Sequence, residues 1–227
     1  PFKPVEFDST LIALNQGWRN TLFFQRSEAK FGADYTYAQN QSRNLVSYGF
    51  ESQRTLEHQF QWRWMFLENW IWNSQIGTRE RVSDSESFEA RSYDFNEQRT
   101  EQKVTFQPGR NWKLSFIVGY RASLNDSELA EELSALDTGL EFNYNVASKA
   151  LITAQFNIIR NDYTGAANTP VAYAMLEGLQ PGQNATWNAT LQSNIGKHLQ
   201  LNILYDGRVS EDVAATHTGS VQLKAFF

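Results

Sequence analysis

Apolar and polar residues alternate with a period of two along most of this chain. Between residues 59 and 67, Phe60, Trp62, Trp64 and Phe66 fall on one side and Gln59, Gln61, Arg63 and Met65 on the other. Successive side chains of an extended strand point to opposite faces, so this spacing predicts a strand with one apolar and one polar face. The pattern repeats in Trp112, Leu114, Phe116, Val118 and Tyr120, set against Lys113, Ser115, Ile117, Gly119 and Arg121. It returns at 31–37, 70–76, 140–146, 150–158, 185–195 and 199–205, and once more at 221–227, while helical periodicity is scarce. With less regular stretches at 19–27, 45–53 and 89–107, the count comes to about twelve strands, each near the ~9–11 residues of a tilted membrane-crossing strand.

The expected connections alternate in length. Residues 108–111, 147–149 and 196–198 are tight, whereas 82–87, 125–132, 162–182 and 210–216 are longer and rich in small or polar residues. Short turns on one rim and long loops on the other are the arrangement of an outer-membrane barrel. The expectation is therefore an all-β fold, an antiparallel transmembrane β-barrel of about twelve strands with short periplasmic turns and longer extracellular loops. Residues 1–18 read as a lead-in from a preceding region and 19–227 as the barrel.

Composition sharpens this reading. The 227 residues are 41% hydrophobic with a mean hydropathy of −0.52, yet 14% are aromatic, including 7 Trp and 16 Phe. A polar chain rich in aromatics fits interfacial girdles around a wet interior. Trp18, Trp62, Trp64, Trp70, Trp72, Trp112 and Trp187 lie mostly near expected strand ends, where an indole sits at headgroup level. No apolar run is long enough for a membrane helix. A soluble barrel binding a hydrophobic ligand would carry the same alternation with its faces exchanged.

Arg63, Arg79, Arg81, Lys103, Lys113 and Arg121 fall opposite the aromatics, and Asp34, Glu141 and Asp206 share the polar faces of other strands. Arg or Lys at the lipid midplane costs ~2–4 kcal/mol, so these charges are expected to face the lumen, where pairing with one another is favoured over tuning ion selectivity. A net charge of −5 argues against nucleic acid as a partner. Cysteine is absent, and there is no zinc, nucleotide or phosphate-loop motif, so no cofactor or metal is expected. The acidic residues Asp126, Glu128, Glu131, Glu132 and Asp137 match no calcium-loop spacing and read as a solvated loop. His217 and Ser220 are three apart, on opposite faces of a strand, and cannot act directly as base and nucleophile. No enzymatic activity is expected.

The run Leu176-Glu177-Gly178-Leu179-Gln180-Pro181-Gly182-Gln183-Asn184-Ala185-Thr186-Trp187-Asn188, with His217-Thr218-Gly219 and the final Phe227, resembles the C-terminal barrel ends of large Bacteroidota outer-membrane proteins. Gly17-Trp18-Arg19-Asn20-Thr21-Leu22-Phe23-Phe24 is similar to the start of their barrel regions. The resemblance implies a bacterial outer-membrane location, a longer parent chain, and Phe227 as a barrel-insertion signal. It also implies a role as the membrane-embedded part of a transport, secretion or assembly complex, in contact with outer-membrane lipids and with other outer-membrane or periplasmic proteins. A passive pore for small solutes and a lipid-modifying barrel enzyme are the alternatives.

Overall fold

The computed structural model describes residues 12–25, 27, 30–125, 130–146, 149–166, 168–196, 198–211 and 213–226. The terminal Phe227 and residues 126–129 lie outside the described residues, as does most of the expected lead-in. Eleven strands form one sheet: β1 (Ala13–Phe24), β2 (Phe31–Val46), β3 (Gly49–Leu67), β4 (Trp70–Ser85), β5 (Tyr93–Phe106), β6 (Trp112–Asn125), β7 (Glu131–Val146), β8 (Ala150–Thr164), β9 (Gly182–Ile195), β10 (Leu199–Ser210) and β11 (Val213–Ala225). A short helix, α1 (Pro170–Met175), lies between β8 and β9, and a single 3-10 turn at Glu89–Arg91 lies between β4 and β5. Strand order equals chain order, and every neighbouring pair is antiparallel.

Among the described residues there are eleven strands rather than the expected twelve, because the segment expected as a strand at 45–53 is a hairpin. Val46 pairs with Gly49 across residues 47–48, and the flanking residues belong to β2 and β3, which reach 16 and 19 residues. Gly49 takes φ +123°, a conformation open to glycine at little cost. At the other end, β1 begins at Ala13, inside the segment expected as lead-in.

Connections 25–30, 68–69, 107–111, 147–149 and 196–198 share one rim with the end of β11, here the lower rim. Connections 47–48, 86–92, 126–130, 165–181 and 211–212 form the upper rim. The tight turns foreseen at 108–111, 147–149 and 196–198 thus share a rim, and the longest connection lies on the other. The loop expected at 210–216 is shorter than foreseen, because Ser210 already pairs with Val213 across a bulge. The loops expected at 125–132 and 162–182 are shorter than foreseen because their first residues continue the strands to Asn125 and Thr164, and the one expected at 82–87 is displaced to 86–92 because β4 continues to Ser85.

The 165–181 connection folds back onto one face of the sheet, which is taken as the inner face. Thr169 caps α1 by accepting a hydrogen bond from the Ala172 amide at 3.0 Å, and Pro170 occupies the first turn, where it removes no helical bond. The helix is only six residues long, too short to be stable alone, so packing has to hold it. Val171, Ala172, Met175 and Leu176 bury against Phe95 of β5 and Leu133 and Ala135 of β7, with Tyr93 and Tyr163 alongside. Each large side chain buried there contributes about 1.5–3 kcal/mol. Beneath it, Glu131 is 2% exposed and accepts hydrogen bonds from the Asn125 amide at 2.8 Å and the Tyr163 hydroxyl at 3.1 Å.

Phe95→Ala opens a void under α1 and is expected to cost about 3–5 kcal/mol in urea unfolding. A loss below about 1 kcal/mol would show that the 165–181 connection does not pack as described.

Candidate functional site: a two-faced wall

The unbroken register lets each face be followed from strand to strand. Across β3 to β8, Trp64 pairs with Trp72, Trp72 with Val104, Val104 with Phe116, Phe116 with Leu140 and Leu140 with Phe156. Residues that pair share a face, so these form one apolar row on the outer side. Phe116, Leu140 and Ile158 of this face are 50%, 50% and 48% exposed, an unusual state for large apolar side chains in the middle of strands.

Aromatics gather toward both ends of this apolar zone. Near the lower rim, Phe66, Trp70, Phe106 and Trp112 form a chain of ring contacts at 6.4, 4.7 and 5.7 Å, and Trp62 and Trp64 each contact Trp72, at 5.9 and 6.3 Å. A second group lies farther up the strands. Trp18 meets Tyr37 at 5.2 Å and Tyr37 meets His58 at 5.0 Å, while Trp187 meets His217 at 5.5 Å, and His217 also hydrogen-bonds the Tyr205 hydroxyl at 2.8 Å. Trp187 sits eight positions from the lower end of β9 at Ile195. At ~3.3 Å per residue and a tilt near 40°, that spacing is about 20 Å of height. The Trp187 ring lies across Gly207, where an added Cβ would sit 2.2 Å from the indole, so glycine is required beneath it. Above this zone the outer face turns polar, through Arg43, Arg54, Glu80, Glu132, Arg160 and Asp162.

The inner face carries the charges. Arg63, Arg79, Arg81, Lys103, Lys113, Arg121, Glu141, Asp34 and Asp206 all lie on it. It also carries Glu57, Glu97, Arg99 and Glu101, which the sequence reading did not single out. They link into an alternating network: Arg99 to Glu57 at 3.3 Å, Glu57 to Arg79 at 3.3 Å, Arg79 to Glu97 at 3.6 Å, Glu97 to Arg121 at 3.9 Å, and Arg121 to Glu177 at 2.6 Å. This network runs across β3 to β6 and ends on the 165–181 connection. Glu177 holds φ +54°, a left-handed conformation a side chain rarely adopts, and the next residue, Gly178, has φ +76°. Nearer the lower rim, Lys103 pairs with Glu141 at 2.5 Å, and Asn143 donates to the same carboxylate at 2.7 Å.

Two polar clefts run along this wall. One, of about 400 Å³, lies under residues 177–179 and is lined by Gln75, Arg99, Glu101, Arg121 and Asp137. The other, of about 350 Å³, shares Gln75 and Glu101 and is lined by Arg63, Asn73, Lys103 and Lys113. Among the described residues no group of three His, Cys, Asp or Glu side chains is placed to hold a metal ion, and no helix is long and apolar enough to cross a membrane. His217 and Ser220 lie on opposite faces of β11, and His217 is engaged with Tyr205. On the upper rim, Arg91 donates to the Tyr48 hydroxyl at 2.7 Å and to Glu51 at 3.0 Å. Both hydrogen bonds raise its pKa above the ordinary guanidinium value.

No protein-family model matches this chain, and no curated protein matches it. Among solved structures it is similar to the translocator domain of autotransporter NalP from Neisseria meningitidis, with 14% identity over 95% of this chain and 82% of that one, and a TM-score of 0.41.

Glu97 is 4% exposed between two guanidinium groups, and Glu97→Gln removes the buried carboxylate that links them while Arg79 keeps Glu57 and Arg121 keeps Glu177. It is expected to cost about 1–3 kcal/mol in urea unfolding. Glu177→Gln removes a carboxylate whose side chain is 57% exposed and is expected to cost less than about 1 kcal/mol. Equal costs for the two would contradict the burial of the network's centre.

Proposed function

We propose that this chain is the membrane-embedded β-barrel wall of a bacterial outer-membrane transport, secretion or assembly component, without catalytic activity of its own. The observation that carries this reading is the outer face. A soluble protein rarely exposes a contiguous apolar patch beyond a few hundred Å², whereas here half-exposed Phe, Leu, Ile and Trp run across successive strands between two aromatic groups. Lipid is the solvent that such a face fits.

The inner face supports the same assignment. Many of its charges are ion-paired, whereas a soluble barrel binding a hydrophobic ligand would require an apolar interior. Lipids would contact the apolar belt, and protein partners would meet the polar outer face above it or the upper-rim connections. The two longest connections, 86–92 and 165–181, lie on the rim opposite the end of β11, which supports a periplasmic lower rim and an extracellular upper rim. The inner clefts support a second reading, a pore for small polar solutes, which the inward-folded 165–181 connection would narrow.

Refolded protein is expected to float with phospholipid vesicles and to resist extraction by carbonate. Leu140→Arg, placed mid-belt, is expected to weaken membrane insertion by about 2–4 kcal/mol, whereas Gln155→Arg on the inner face should insert normally. Stability in solution without detergent would remove the membrane reading. In planar bilayers the scaffold reading expects little conductance. Steady ion currents whose selectivity changes with Arg63→Glu would favour the pore.

A further inference from the structure

Two aromatic clusters at the upper edge of the apolar belt share one construction. On β1 to β3, Trp18 meets Tyr37, Tyr37 meets the His58 ring at 5.0 Å, and the Tyr35 hydroxyl lies 2.7 Å from His58 Nδ1. On β9 to β11, Trp187 meets the His217 ring at 5.5 Å, and the Tyr205 hydroxyl lies 2.8 Å from His217 Nδ1. Both histidines belong to the outer face: His58 is six residues from Trp64 on the same strand, and His217 ends the pairing row Phe156, Trp187, Gly207, His217. They also stand at similar heights. His58 is nine positions above Leu67 at the lower end of β3, and His217 is eight above Ala225 at the lower end of β11. At ~3.3 Å per residue and a tilt near 40°, both sit about 20–23 Å up, near the top of a ~25 Å apolar band.

A phenol hydroxyl is a good donor, and a neutral imidazole has one acceptor nitrogen. With the tyrosine donating to Nδ1, the ring proton stands on Nε2, because the bond at one nitrogen fixes the tautomer at the other. Among the described residues Nε2 has no hydrogen-bond partner on either ring. The His58 Nε2 is not buried, and His217 is an exposed residue. A tyrosine of an interfacial girdle ordinarily offers its hydroxyl to the headgroups. Here both hydroxyls are turned sideways into an imidazole, and the surface offers an N–H instead. We propose that His58 and His217 are two binding sites for lipid phosphate, each donating from Nε2 to a phosphate oxygen of the upper leaflet. The proposal rests on the membrane-embedded reading above. Height favours this ligand, since phosphates lie just beyond the hydrocarbon, and so does chemistry: an ionised acceptor makes a shorter bond, about twice as strong as a neutral one. The flanking Trp and Tyr rings present apolar surface to the acyl chains below. Two such sites at one height, on β3 and β11, fix the depth of the wall in the bilayer.

The chain has 3 histidines, so ring-nitrogen signals can be assigned by substitution. His198, which lies at the lower rim, is replaced by asparagine throughout, and His58→Phe or His217→Phe then leaves a single histidine. Each protein, labelled with nitrogen-15 in the imidazole, is refolded into phosphatidylcholine vesicles in phosphate-free buffer at pH 8 and purified by flotation. Solid-state NMR reads which ring nitrogen is protonated and how strongly the phosphorus of the lipid dephases it. For both histidines a protonated Nε2 is expected, dephased as a nitrogen about 4 Å from phosphorus, the separation that an N–H···O bond to phosphate sets. Tyr205→Phe frees the His217 ring and is expected to remove most of its dephasing while leaving that of His58 unchanged. A proton on Nδ1, an Nε2 without dephasing at either histidine, or full dephasing at His217 in Tyr205→Phe would each overturn the proposal. Flotation separates the two readings: protein that floats without Nε2 dephasing removes the phosphate sites alone, and protein that does not float removes the membrane reading as well.

Discussion

Everything in this molecule depends on register. Ten successive antiparallel pairings carry the pleat across eleven strands, with bulges confined to the ends of the β3–β4 and β10–β11 pairs. Because side chains alternate at every residue, a slip of one position in any pair would send Leu140 or Phe116 inward and Glu141 or Ser115 outward. The position of both bulges is informative. Each sits where strands leave the sheet, so the irregularity disturbs no apolar row between them.

The inner wall shows how the second constraint, charge burial, is met. Glu97 is surrounded by protein, and its cost is offset by the two guanidinium groups it faces, one from each neighbouring strand. Arg121 then carries this arrangement onto Glu177, fastening the longest connection of the upper rim to the wall. That fastening is mixed in kind. The apolar contacts of Met175 and Leu176 supply most of the hold, whereas the Arg121–Glu177 pair, open to solvent on its Glu177 side, chiefly fixes position. The 165–181 connection is therefore a fixture of the interior at its upper end, with a left-handed corner at residues 177–178.

Much of the fold was legible because a strand with one apolar and one polar face writes its alternation openly, as β3 and β6 do. That Arg63, Lys103 and Arg121 lie on the face opposite the aromatics followed directly from that alternation. Other parts were obscured for physical reasons. On β5 the outer face carries Asn96, Gln98, Thr100 and Gln102, so the strand is polar on both sides over much of its length. Gln102 is accommodated by accepting from the Trp72 indole at 2.9 Å and donating to Ser74 at 2.7 Å. The hairpin at 47–48 was read as a strand because its flanks are extended on both sides and it holds no strong turn pair. The helix α1 was missed because six residues give no period to count, although Thr169-Pro170 is a recognisable start. Glu97 could not be distinguished from Glu57 or Glu101, since spacing along one strand does not reveal which guanidinium lies across the next.

The uneven distribution of indoles has an optical consequence. Trp62, Trp64, Trp70, Trp72 and Trp112 all lie toward the lower rim, while Trp18 and Trp187 lie farther up their strands. On the membrane-embedded reading proposed above, intrinsic emission from this protein would be dominated by one leaflet of a bilayer. A brominated lipid restricted to that leaflet would dim most of the signal, and the same lipid in the opposite leaflet would leave most of it intact. On that reading the molecule would carry its own marker of which way it faces.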